Sequence, residues 1–522
     1  MNPYYLDILM FVAMVGGILI GFPVVFILTG VGVIFAGIGF LTGDFNPNLL
    51  RALSQRIFGV MTNEVLIAIP LFIFMGVMLE RSRIAEQLLE QMGRLFGHLR
   101  GGLAISVTVV GALLAASTGI VGATVVTMGL IALPTMMRNG YKPTLAAGTV
   151  CAAGTLGQII PPSTMLVIMA EVMSSAYQQA QYSQGLFIIE TLSVGQVFAG
   201  AMIPGLVTVG VYLIFVTIIA WLRPQVAPAL VSDSMPRPAL GPLLLALLPP
   251  VILIVAVLGS ILGGIATPTE AAAVGAVGAI MLAAMRFEGT RRWPIWLGAF
   301  AIVAMLILAG QVDLRIGRAA STMLEHLGIV LAALLTLCLL FSLAYGLWRG
   351  LKVGVLGQVV DQTVRMSAMI FAMFIGASLF ALVFRGLGGD ARVESMLDAL
   401  PGGQTGALLF VLLIIFLLGF VLDFVEIAII LIPLVAPVLL LMGIDAIWLS
   451  ILIAINLQTS FLTPPFGFSL FYLRGAAPPE IRTIDIYRGV APFVGLNILV
   501  MSIVFFIPDL ATWLPEQLFG RR

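Results

Sequence analysis

Long apolar runs alternate along this chain with short stretches in which charge clusters. Such stretches include 80–100, 223–237, 286–292 and 474–488. Between and around them lie apolar runs at about 8–41, 65–79, 103–116, 120–137, 144–173, 197–222, 243–263, 270–285, 294–310, 328–348, 366–384, 406–421, 424–442, 447–473 and 490–508. One membrane span needs about 20 apolar residues, so this alternation predicts a chain of spans and loops. The first run exceeds one span and is divided at Gly21-Phe22-Pro23, which predicts one kinked helix or two short ones. The stretch 80–100 is amphipathic and suits the membrane interface. Residues 223–241, with Pro224, Pro228, Pro236 and Pro238, read as a linker between two halves.

Those halves repeat. Pro134 and Pro437 lie 303 positions apart, and so do Gly140 and Gly443 and the pairs Pro161-Pro162 and Pro464-Pro465. Phe74-Met75-Gly76 matches Phe374-Ile375-Gly376 at an offset of 300. Each double proline interrupts an apolar stretch, deleting amide donors and freeing carbonyls upstream. From Met165 to Val172 only eight apolar residues follow the first break. That is about 12 Å of helix, too little to span alone. In lipid, freed backbone groups persist only where protein, water or a ligand satisfies them, so broken helices offer carbonyls to cations and helix N-termini to anions.

The residues flanking the breaks are neutral oxygen donors. Thr155, Gly157 and Gln158 precede the first break, with Ser163 and Thr164 after it. Asn456, Gln458, Thr459, Ser460 and Thr463 precede the second, with Gly467 after it. By analogy with other hard cations, such a set suits sodium. The competing reading is two structural kinks whose hydroxyls bond back to the turn above. Upstream of each break lies a further interruption, Ser117–Gly122 in the first half and Asp423 with Glu426 in the second; both fit tips of re-entrant hairpins. Small-residue helix packing also explains the first, and an aqueous loop the second. Thr267-Pro268-Thr269-Glu270 starts a helix, with Thr269 a suitable cap and Glu270 favoured at the N-terminal end.

Composition narrows the class. The 522 residues are 61% hydrophobic and 9% charged, where soluble domains carry roughly a quarter charged residues. Lysine occurs only at Lys142 and Lys352, so no phosphate-binding Gly-Lys-Ser/Thr loop exists, and His98 and His326 are too distant for a zinc site. No Gly-x-Ser-x-Gly elbow is present. An enzyme is therefore not expected. His98 reads as an interfacial residue, and Cys151 and Cys338 as core residues rather than a disulfide. A net charge of +1 gives no reason to expect nucleic acid. Nothing basic precedes the first apolar run, which reads as a retained segment rather than a secretory signal.

Three motifs carry a family resemblance: Thr267-Pro-Thr-Glu-Ala-Ala-Ala273, Gly154-Thr-Leu-Gly-Gln-Ile-Ile-Pro-Pro-Ser163 and Asn456-Leu-Gln-Thr-Ser-Phe-Leu-Thr-Pro-Pro-Phe-Gly467. With Pro70–Gly76 and Phe371–Gly376 they resemble the large membrane subunit of TRAP transporters, the tripartite ATP-independent periplasmic transporters of bacteria and archaea. The resemblance implies an all-α polytopic membrane protein with two inverted repeats, each with a re-entrant hairpin and a broken helix, working as an elevator. It implies import of a small organic acid with sodium, delivered by a periplasmic binding protein, beside a small four-helix subunit in the cytoplasmic membrane. No covalent cofactor is implied; Na+ is the coupling ion. Sodium would be held by Ser117, Thr118, Gly119, Thr155 and Gly157 in the first half. In the second half Asp423, Asn456, Gln458, Thr459 and Thr463 would hold it. Ser163, Thr164, Gly467 and Glu426 would meet the carboxylate. The expected division is N-terminal scaffold 1–64, first repeat 65–222, linker 223–241, connecting scaffold helices 242–289, an inserted helix pair 290–360 and second repeat 361–522. A stand-alone ion- or proton-coupled exchanger and an ion channel remain as rival readings.

Overall fold

A computed structural model describes residues 5–520 apart from 83, 120, 230–239, 288 and 316–322. Among the described residues every regular element is helical. The first apolar run is two helices, α1 (Leu6–Ile20) and α2 (Val24–Thr42), because Gly21 takes φ 94° and turns the chain ahead of Pro23. The amphipathic α3 (Arg51–Thr62) bends by 49° into α4 (Glu64–Arg81) at Asn63, whose side chain caps α4 by accepting from the Val65 and Leu66 amides. In α5 (Ile84–Phe96), Ile84, Leu88, Leu89 and Met92 are buried while Glu90 and Arg94 pair at 2.6 Å on the exposed face. His98 just beyond it is exposed.

The first repeat continues with α6 (Gly102–Thr118) and α7 (Val121–Arg138), which pack together as a hairpin turning at Gly119. Then come α8 (Pro143–Thr155), a 3-10 turn over Leu156–Gln158, a cis Pro161–Pro162 bond, α9 (Thr164–Ser183) and α10 (Val194–Leu222). Here the eight-residue reading of 165–172 fails: α9 has 20 residues, about 30 Å. Its polar second half stays helical because the side chains turn inward. The Gln181 amide brackets the Glu190 backbone at 2.8 and 2.9 Å, and Ser174 Oγ accepts from the Leu192 amide at 3.1 Å.

Two more helices follow, α11 (Leu240–Leu262) and α12 (Pro268–Ala284). Thr267, not Thr269, caps α12 in a reciprocal box with Glu270; the Thr269 hydroxyl instead donates to the Glu64 carbonyl at 2.7 Å and ties α12 to α4. The pair α13 (Trp293–Gln311) and α14 (Met323–Val353) pack on each other and on α12, and expose Phe300, Leu306, Leu334 and Leu337. Such faces suit lipid rather than water. Most of the expected linker lies outside the described residues.

The second repeat comprises α15 (Val355–Gly386), α16 (Gly389–Asp398), α17 (Gly403–Leu418), α18 (Phe424–Ile430), α19 (Ile432–Leu441), α20 (Ala446–Leu462), α21 (Phe468–Ala476) and α22 (Thr483–Phe506), and α23 (Asp509–Phe519) closes the chain. The matched landmarks occupy matched places. Pro134 and Pro437 lie inside α7 and α19, Gly140 and Gly443 take φ 78° and 91° after them, and both double prolines are cis. Among the described residues seven helices are long and apolar enough to cross a bilayer, or up to ten if each bent pair is one span.

The halves are packed crosswise. The returning arm of the first hairpin, α7, lies on α21, and that of the second, α19, lies on α9. α8 crosses α22 so closely that a Cβ on Gly148 would collide with the Gly489 carbonyl, and one on Gly489 with that of Thr144. Small residues at such crossings let backbones meet.

Candidate functional site

The two breaks lie in the interior, each against its own hairpin. At the first, Thr164 Oγ1 donates to the Gly119 carbonyl at 3.0 Å, so the tip of the α6–α7 hairpin touches the start of α9. Gly119 has φ 61°, and a Cβ there would lie 2.8 Å from the Thr164 amide nitrogen. Only glycine meets both demands. Gly157 packs against the Ala115 backbone of the same hairpin. The side chains of Ser117 and Thr118, two of the expected sodium ligands, lie outside the described residues.

At the second break, Asn456 Nδ2 donates to the Leu412 carbonyl at 2.7 Å, and Ser460 Oγ to that of Phe416 at 2.8 Å. Both acceptors belong to α17, the entering arm of the second hairpin. Thr459 and Thr463 bond back along α20, to Ile455 at 2.7 Å and Thr459 at 2.8 Å. Gly467 starts α21, where Ser469 Oγ donates to the Phe461 carbonyl at 2.7 Å and folds α21 back on the end of α20. Thr155, Gln158, Ser163, Gln458 and Thr459 are all buried.

Asp423 and Glu426 form a reciprocal cap on α18: the Asp423 amide donates to Glu426 Oε2 at 2.9 Å, and the Phe424 amide to Asp423 Oδ1 at 2.7 Å. Both carboxylates are half-buried at the tip of the second hairpin and within electrostatic reach of Tyr472 on α21. The Tyr472 ring in turn fills the space beside Gly122 at the first tip. The two hairpin tips therefore face the same aromatic side chain.

One buried group joins the breaks, and sequence reasoning missed it. The Tyr212 hydroxyl on α10 donates to Asn497 Oδ1 on α22 at 2.6 Å, receives Gln458 Nε2 at 3.5 Å and is within reach of the Thr155 side chain. Around it, both polar atoms of Gln158, Oε1 of Gln458 and Nδ2 of Asn497 are buried without a partner. Unpaired buried polar groups are costly, and such a cluster in a native fold calls for water or an ion. A lone asparagine inside the apolar run 490–508 was the one available signal.

Chemically, the arrangement is two breaks flanked by neutral oxygens and amides, with two carboxylates at the second hairpin tip; among the described residues no group of three or more His, Cys, Asp or Glu side chains is suited to a metal. The sequence profile of the "Tripartite ATP-independent periplasmic transporter, DctM component" matches residues 9–312 and 293–510. The chain belongs to this family. A large permease protein of a C4-dicarboxylate TRAP transporter from Vibrio cholerae is 28% identical over 98% of both chains. That of an ectoine TRAP transporter from Halomonas elongata is 24% identical over 98% of this chain and 99% of its own. That of a sialic acid TRAP transporter from Vibrio cholerae is 23% identical over 94% and 95%. Among solved structures, the YdaH transporter of Alcanivorax borkumensis shares the fold, with a TM-score of 0.54 at 16% identity over 90% of this chain and 89% of that one. This TRAP permease is a multi-pass membrane protein and a transporter component, not an enzyme.

Proposed function

We propose that this TRAP permease imports a small carboxylate together with sodium, receiving its cargo from a periplasmic binding protein and working beside a small four-helix membrane subunit in the cytoplasmic membrane. The observation that carries the reading is the pairing of each hairpin with a broken helix, through Thr164 and Gly119 in one half and through Asn456 and Ser460 with α17 in the other. Each pairing surrounds a break rich in neutral oxygens, which suits a monovalent hard cation. The carboxylate would sit between the tips, near Tyr472, Ser163 and Gly467. Relatives named for C4-dicarboxylates, ectoine and sialic acid name carboxylate cargoes and one named for isethionate a sulfonate, so a small organic acid is their common chemistry. In the elevator form of this proposal, α6–α9 and α17–α21 move as one body against a scaffold of α1–α4 and α11–α15, with the two repeats inverted.

The test is uptake of labelled C4-dicarboxylates into proteoliposomes holding this chain and its small partner. The cognate binding protein is added outside, and a sodium gradient is imposed or omitted. Uptake that needs both supports the proposal. Uptake indifferent to the binding protein returns the chain to a stand-alone exchanger, and uptake indifferent to sodium removes the coupling ion.

A further inference from the structure

A cavity of about 430 Å3 opens between α3, α4, α9 and α15, with Ile429 of α18 and Pro433 of α19, on the returning arm of the second hairpin, closing one side; neither hairpin tip lines it. Its wall carries two guanidinium groups, Arg56 from α3 and Arg385 from α15. Arg385 is tied to its surroundings, through Nε to Asp390 Oδ2 at 3.1 Å and through Nη2 to the Gln179 side chain. Arg56 is half-buried and has no hydrogen bond or ion pair among the described residues; Arg385 and Asp390 are the charges it senses. One carboxylate thus serves two guanidiniums. The carboxylate that lines the cavity, Glu171, takes the Asn63 amide at 2.6 Å rather than either arginine. Two like charges at a partly desolvated wall repel each other, and a free guanidinium facing empty volume lacks the counter-charge such a site requires. Ser175, Gln179 and Ser378 complete a polar lining, with Phe374 and Ile429 apolar beneath it. The volume lies within the range of small-molecule sites.

We propose that this cavity binds a small carboxylate, with Arg56 as its anchor and Arg385 as the second arm, as a station separate from the tips. Guanidinium is suited to the task because its fork matches a carboxylate's two oxygens. The cavity lies between α9, on the hairpin side, and α3 and α15, on the scaffold side, so a carboxylate held there is on a path along the boundary where the two bodies would slide. This rests on the carboxylate reading above for its ligand class, though not on sodium.

The experiment measures the shift in thermal unfolding midpoint of the purified chain in sodium-free choline buffer during titration with succinate, with sulfate at matched ionic strength as control. The wild type should show a saturable rise with succinate and little with sulfate. Arg56→Gln should weaken the apparent succinate affinity about tenfold, the loss expected for one charge-assisted contact. Ser378→Glu, which places a carboxylate in the cavity and keeps both arginines, should do the same. No succinate response in the wild type, or unmoved curves in both variants, overturns the proposal. An equal response to sulfate reduces it to an adventitious anion site and also overturns it. Dicarboxylate uptake in proteoliposomes keeps the two readings apart: transport by the wild type with an unchanged KM in Arg56→Gln removes this site alone, while no dicarboxylate transport at all removes the functional reading first.

Discussion

Thr155 and Thr459 occupy the last turns of α8 and α20, and each hydroxyl donates back to a carbonyl of its own helix, that of Ala152 at 2.9 Å and Ile455 at 2.7 Å. A hydroxyl that spends its proton this way keeps its lone pairs free for a cation. Replacing either by Ala should raise the sodium concentration for half-maximal uptake about tenfold, roughly 1.4 kcal/mol, while complex assembly stays intact. Unchanged sodium dependence in both variants would remove these residues from the site. Tyr212→Phe deletes the hydroxyl shared by Asn497 and Gln458, and should cost about 1–3 kcal/mol of stability. The reading is a lower unfolding midpoint; an unchanged one would mean that water already serves those amides. The threonines were legible because they flank double prolines. Tyr212 was not, because it sits in the long apolar run 197–222 that reads as an ordinary span, and only tertiary packing brings it to both breaks.

At the scale of elements, the repeat and its breaks were readable, since prolines and positive-φ glycines keep their spacing when side chains diverge. Helix length was less so. Counting apolar residues ended α9 at Val172, whereas inward hydrogen bonds from Ser174 and Gln181 carry it to Ser183. The family resemblance makes the carboxylates at 423 and 426 ion and substrate ligands. Their hydrogen bonds in this structure are those of a helix cap. The hairpin tip gives a clear prediction: Gly119→Ala meets both an unfavourable φ and the Thr164 amide. It should separate tip from break and abolish most uptake, and full uptake would show that the tip tolerates displacement. The Asp7 and Arg392 ion pair joins α1 to α16 with both side chains largely buried. Asp7→Ala leaves a buried guanidinium without its partner and should cost about 3–5 kcal/mol. A midpoint equal to the wild type would contradict that burial.

For the whole molecule, the crosswise packing of α7 on α21 and α19 on α9 binds the two hairpins and two broken helices into one body. In the elevator form of the proposal that body slides against a scaffold, which it would meet through Asn63 with Glu171 and Arg385 with Gln179. A disulfide between Asn63→Cys and Glu171→Cys should arrest uptake when oxidised and release it on reduction. Full-rate uptake by the cross-linked protein would contradict relative movement of the two. Direct binding of radioactive sodium to the purified chain, with and without Thr155→Ala, Thr459→Ala and both together, tests the two broken helices as ion sites. Binding should be saturable, fall by about half in each single variant, one of two matched sites being weakened about tenfold, and nearly vanish in the double variant. Binding unchanged in the double variant would show that the broken helices do not hold the ion.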